Sequence, residues 1–194
     1  MSLPSFLGPF VDVPIATSEA ALTAPQPAGG NVLQFSMQGQ QQSNWCWAAT
    51  AASVSQYYGV NPVMTQCQIA SKCLDMDCCI TPLPPPPPPN WDGNITYALD
   101  VALRVSQHLA EGPTSDVLPF SSIMSEIDGG KPVCCHVSWD SDNGHFNAIV
   151  GYYNDDNQDV VVCDSLLGEH TLPYAMFVNN YNGGGTWDNS YLTK

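Results

Sequence analysis

The stretch Gln40-Gln41-Gln42-Ser43-Asn44-Trp45-Cys46-Trp47-Ala48-Ala49 decides how the rest of the chain is read. Trp47, Ala48, Ala51, Val54, Tyr57 and Tyr58 follow helical spacing and Gly59 ends the run, so residues 43–58 are expected to form a helix. Ser43 or Asn44 is the expected cap. Cys46 then lies at the start of that helix, where unpaired amides and the helix dipole favour a thiolate. Trp45 and Trp47 flank it and would wall a cleft. A cysteine between two tryptophans also fits a buried structural position, so its meaning depends on the residues that join it.

Moving outward, a second helix is expected over Thr65–Lys72 and a third over Ile95–Leu109. Between them stand the vicinal pair Cys78-Cys79 and six prolines, Pro84–Pro89, which favour a polyproline II rod. After Gly112-Pro113 the pattern changes to period two with β-branched residues. Pro132–Trp139, Phe146–Tyr153 and Val160–Asp164 read as strands, separated by turn-rich Asp140–Gly144 and Asn154–Gln158. Residues 1–30, rich in Pro, Ala, Ser and Gly, read as a loosely docked N-terminal arm ending in the linker Gly29-Gly30. Helices first and antiparallel strands second argue an α+β fold over residues 31–194. The helical lobe is expected at about 31–112 and the β lobe at about 113–194.

A catalytic cysteine needs a base, an orienting group and oxyanion donors. His145, in Asn143-Gly144-His145-Phe146, enters a strand just after a turn and is the candidate base. His108, on a polar helical face, His136, inside a strand, and His170, in a loop, have no comparable partner in the sequence. Asp164 ends the next strand, Val160-Val161-Val162-Cys163-Asp164. If Asn154–Gln158 closes a hairpin with Asp164 opposite Asn147, His145 lies on the same face as Asp164, about 7–8 Å away along the diagonal. A slip of one residue would separate their faces. Gln40, upstream of Cys46, could pair its side-chain amide with the Cys46 N–H in an oxyanion hole. Gln41 and Gln42 are close competitors for that role.

Composition narrows the classes further. Eighteen acidic residues face four basic ones, and a formal charge of -14 argues against nucleic acid or an anionic membrane as partner. No run approaches the roughly 18 apolar residues of a membrane span, and no secretory signal is visible at Met1-Ser2-Leu3. The eight cysteines suggest an oxidising compartment, hence export. Cys67 is expected to pair with Cys78 or Cys79. Cys134 and Cys135, adjacent in a strand, should face opposite sides, one toward the core and one nearer the surface. Repeated C-x-x-C pairs are absent from the sequence, so a structural zinc is not expected, nor is any cofactor. Asn94-Ile95-Thr96 is a glycosylation sequon.

The Gln-x5-Cys-Trp-Ala-Ala segment, the later Gly-His-Phe and the strand-end Cys-Asp-Ser resemble the AvrRpt2-like papain-fold cysteine peptidases and the related C39-like peptidases. Gln66-Cys67-Gln68-Ile69-Ala70 and Cys78-Cys79 resemble the cysteine-bearing helical region of the same group, from which the proline run departs. The resemblance spans roughly residues 31–194. It implies a helical left lobe and a β right lobe with the site between them, Cys46 as nucleophile, His145 as base, Asp164 as orienting acid and Gln40 as oxyanion donor. It also implies a peptide or protein substrate, a monomer, and an exported bacterial enzyme or effector. The same triad would serve an acyltransferase, a transglutaminase-like enzyme or an amidase. A non-catalytic C39-like peptide-binding domain is the third reading, expected to lack a triad member.

Overall fold

The computed structural model describes residues 29–59, 63–79, 93–141 and 143–194. Residues 1–28 of the arm expected over residues 1–30, and the proline run Pro84–Pro89, lie outside the described residues. In chain order the elements are β1 (Gly30–Val32), α1 (Cys46–Tyr58), α2 (Gln66–Leu74), α3 (Leu99–Val105) and β2 (Leu109–Thr114). There follow α4 (Phe120–Asp128), β3 (Val133–Ser138), β4 (Gly144–Tyr153), β5 (Asp159–Asp164), β6 (Gly168–Pro173), α5 (Tyr174–Asn180) and β7 (Thr186–Thr193). Among the described residues this is an α+β fold of five helices and one seven-stranded antiparallel sheet. The strands run β2-β7-β3-β4-β5-β6, with β1 paired to the far end of β4.

Helix α1 is buried continuously from Cys46 to Ser55. Its alanines, Ala48, Ala49, Ala51 and Ala52, let it lie close to its neighbours, and Gly59 ends it in the left-handed region at φ 63°. Together with α2 and α3 it covers one face of the sheet, where Trp47, Val54, Ile69 and Leu103 meet Cys134, Ala148, Val150 and Val161. Helices α4 and α5 cover the other face through Ile123, Ile127 and Phe177, against Val133, Cys135, Ile149 and Val162. Among the described residues, no helix is long and apolar enough to cross a membrane.

Several expectations change here. The segment 31–112 is not all helical, because it contains most of β1 and β2, which belong to the sheet. Leu109 opens β2 instead of closing the third helix, which ends at Val105. Gly30 pairs with Tyr153 and so acts as strand, not linker. The later half contains two helices, α4 and α5, among its strands. Cys134 and Cys135 do face opposite sides, but neither nears the surface, since helices cover both faces of the sheet. Neither Ser43 nor Asn44 caps α1: the cap position is Trp45, without a side-chain cap bond. The Ser43 hydroxyl instead accepts from Asn94 Nδ2 at 2.9 Å, and Asn44 Nδ2 donates to the Asn94 carbonyl at 2.8 Å. Asn94 thus ties down the approach to α1, and its Nδ2, the atom a glycan would take, is already engaged.

Candidate active site

Antiparallel pairing places Asn147 opposite Asp164 in the β4–β5 hairpin. This is the register that puts His145 and Asp164 on one face, and it holds as far as Ile149, beyond which a bulge at Val150 shifts it by one residue. The hydrogen bond follows: His145 Nε2 lies 2.9 Å from Asp164 Oδ1. Asp164 is buried and almost fully satisfied by local donors. Its Oδ1 also accepts from the backbone N–H groups of Leu166 at 2.7 Å and Leu167 at 3.1 Å, and its Oδ2 accepts from the Tyr181 hydroxyl at 2.7 Å. Burial alone would raise this carboxyl, but His145 and the other donors outweigh it and hold Asp164 down at about 2.

His145 also interacts with the Cys46 side chain. Because Nε2 is taken by Asp164, the edge carrying Nδ1 is left for the thiol. Burial alone would lower His145, yet the bonds to Asp164 and Cys46 outweigh it and raise it to about 9. The imidazole is therefore held as the cation between two acceptors. Cys46 opens α1, so its N–H is one of the amides without an intrahelical partner. The two flanking indoles are held by the segment after the proline run: Trp45 Nε1 donates to the Gly93 carbonyl at 2.7 Å and Trp47 Nε1 to the Ile95 carbonyl at 3.0 Å. Both indoles are buried; Trp47 and not Trp45 lines the cavity beside Cys46, which has a volume of about 280 Å³.

Gln40 sits in the strap that leads into α1, and its side chain is engaged on both ends. Nε2 donates to the carbonyls of Gln42 at 3.0 Å and Ser43 at 2.6 Å, and Oε1 accepts from the Ser165 hydroxyl at 2.9 Å. It thereby links the strap before Cys46 to the turn after Asp164. Of its competitors, Gln41 is held through its backbone N–H by Gln66 Oε1 at 2.9 Å, and Gln42 receives the Gln40 amide and the Trp45 N–H on its carbonyl.

Two residues of this neighbourhood escaped the sequence reading. Tyr181 reaches Asp164 from just past the end of α5, an element the pattern did not show. His136 does have an acidic partner: its Nδ1 lies 2.6 Å from Asp188 Oδ1, and the ring lines the Cys46 cavity. That pairing crosses β3 and β7, which are adjacent in the sheet but far apart in sequence. Of the other histidines, His108 is buried against Tyr58 with Nδ1 at 2.8 Å from the Lys194 carbonyl, and His170 lies in β6, stacked on Tyr181. Neither reaches Cys46. A disulfide joins Cys67 to Cys79 and pins the end of the described helical segment to α2.

An α+β domain that places a thiol at a helix start, an imidazole and a buried carboxylate near one another has the groups that thiol-based acyl transfer uses. The chain is a member of the Peptidase_C39 like family, whose family model matches residues 32–187. That match takes in α1, β4 and β5, and with them Cys46, His145 and Asp164. No curated protein matches the chain.

Proposed function

We propose that the chain is a papain-like cysteine peptidase, close in plan to the AvrRpt2-like group, with its cleft between the α1–α3 helices and the sheet. The observation that carries the reading is the line Cys46–His145–Asp164 at a helix start that no side chain caps. An uncapped first turn leaves donors for an anion, whether the thiolate or a developing oxyanion.

In the proposed reaction the Cys46 thiolate attacks the scissile carbonyl while imidazolium His145 balances its charge. The tetrahedral oxyanion accepts from the Cys46 N–H, with Gln40 Nε2 as second donor once it releases one of its two backbone carbonyls. His145 then gives its proton to the leaving amine, and water, deprotonated by the same ring, cleaves the thioester and restores Cys46. Asp164 fixes the imidazole and keeps its charge. The substrate is a peptide or protein, and the enzyme acts as a monomer. The Cys67–Cys79 disulfide supports export to an oxidising compartment.

The test is covalent labelling by an epoxide or vinyl-sulfone peptide probe, followed by peptide mapping. Wild type should label at Cys46 and cleave peptides, and Cys46→Ala should do neither. Equal labelling of wild type and Cys46→Ala, or no labelling of the wild type with Cys46 in its reduced form, would sink the reading.

A further inference from the structure

The cavity beside Cys46 has a second wall that the proposed reaction does not use. It comes from β3, the start of β4 and the connection between them, with Tyr97 facing from the segment before α3. On this wall His136 Nδ1 meets Asp188 Oδ1 at 2.6 Å. Asp188 also accepts from Asn189 Nδ2 at 3.0 Å and from the Ser138 side chain. Burial would raise the Asp188 carboxyl, but the His136, Ser138 and Asn189 donors outweigh it and keep it below the ordinary range. A carboxylate can only accept, so His136 donates to Asp188 from Nδ1, and Nε2 is the ring's other polar edge. Gly144 lies against that edge of the ring: a Cβ there would come within 2.2 Å of Nε2.

Asp140 adds a carboxylate to the same lining. It accepts from the Asn143 backbone N–H at 2.9 Å and from Asn143 Nδ2 at 2.7 Å, which sets its direction. Two aromatic rings complete the cavity. Tyr97 packs on Trp47 with ring centres 5.4 Å apart, and Phe146 packs on His136 at 4.9 Å. The chain's four cationic side chains, Lys72, Arg104, Lys131 and Lys194, all lie elsewhere.

We propose that this wall is a specificity subsite for a Lys or Arg side chain of the substrate, with the cationic head at Asp140 and the aliphatic stem along Tyr97, Phe146 and the His136 ring. The inference rests on the peptidase reading of Cys46 and adds the class of side chain that enters beside it. Aromatic faces attract cations, and the stems of Lys and Arg pack readily on apolar surface. An anionic cavity in a protein of charge -14 also concentrates basic segments near the nucleophile. Asp188 acts through His136, as a positioning residue that holds the ring in the cavity wall.

The experiment is a cleavage profile on a peptide library varied on both sides of the scissile bond, followed by kcat/KM for matched Lys, Arg, Leu and Glu peptides. Wild type should favour Lys or Arg over Leu at one position by at least tenfold and discriminate against Glu more strongly. In Asp140→Asn the Lys-to-Leu ratio should fall at least fivefold, and Asp140→Glu should recover most of it. Because each ratio is taken within one enzyme, a general loss of activity does not mimic the effect. Asp188→Asn should lower the same ratio without moving the preference to another position. Cleavage without a basic preference, or a preference that survives Asp140→Asn, overturns the subsite while leaving the peptidase reading intact. Absence of both cleavage and Cys46 labelling overturns the peptidase reading and takes this inference with it.

Discussion

Replacing Asp164 by Asn removes one charge while leaving the shape of the site almost unchanged. The Asn Oδ1 can take over the bonds from His145 Nε2, Leu166 N–H and Leu167 N–H, and its Nδ2 can donate to the Tyr181 oxygen in place of the reverse bond. The variant therefore isolates electrostatics. In the wild type His145 stands at about 9 against an ordinary 6.5, because Asp164 and Cys46 together overcome the burial that pushes it down. With the carboxylate gone, Cys46 alone opposes burial. His145 should fall by about one to two and a half pH units, equivalent to roughly 1.4–3.4 kcal/mol of preference for the charged ring. The assay is titration of the His145 Hε1 resonance, assigned by its absence in His145→Gln.

Stability should follow the same pair. The raised His145 contributes stability that is complete below about 6.5 and is lost as pH climbs through about 9. The lowered Asp164 contributes stability present above about 3.8 and lost as pH falls through about 2. The gap in unfolding free energy between wild type and Asp164→Asn should be widest between about pH 4 and 6.5 and narrow on either side. A His145 resonance that titrates within half a unit of wild type, together with a gap that does not vary with pH, would refute the electrostatic account.

Gln66 is buried and holds the strap before α1, donating to the Gly39 carbonyl and to Gln38 Oε1 and accepting from Gln41 N–H. Gln66→Leu should cost about 1–3 kcal/mol in denaturant unfolding and slow probe labelling of Cys46 at least tenfold; lost stability with unchanged labelling would show that the strap does not position the thiol. Gly151 faces β1, where a Cβ would come within 2.9 Å of the Asn31 carbonyl and 3.0 Å of Val32 Cα. Because those atoms are backbone, Gly151→Ala should cost about 1–3 kcal/mol and expose residues 30–33 to limited proteolysis. The Cys67–Cys79 disulfide spans a sequence separation of 12. Cys67→Ser should lower unfolding stability by about 3 kcal/mol on the chain-entropy account, and reductant should bring the wild type to the same value.

Local pattern carried the reading where one short segment contains its own rule. Helix α1 was legible because its apolar positions and Gly59 stop lie within a single stretch, while the structure adds a capping box between Thr65 and Gln68 at the start of α2. The β4–β5 hairpin was legible because period-two strands flank a turn, which limits the possible registers to a few. Elsewhere the signal was present but overridden. Phe120, Ile123 and Ile127 keep helical spacing in α4, yet the period-two pattern read from Gly112-Pro113 onward carried the β reading across it. In β7 a register shift against β3 interrupts the alternation that marks a strand. Helix α5 is short and buries only Phe177, too little to show a period.

The thiol at a helix start, the imidazole at the head of a strand and the carboxylate at the end of the next were therefore written into the sequence, since each depends on neighbours a few residues away. The rest of the site depends on sheet order. Tyr181 reaches Asp164, and Asp188 reaches His136, only because β7 inserts beside β3 and α5 folds back across the face opposite α1. Such contacts arise when distant strands bury their shared apolar faces, and no local spacing encodes them. The chain's own pattern thus supplied the thiol, the imidazole and the carboxylate, while packing between remote segments settled what holds them and what shares their cavity.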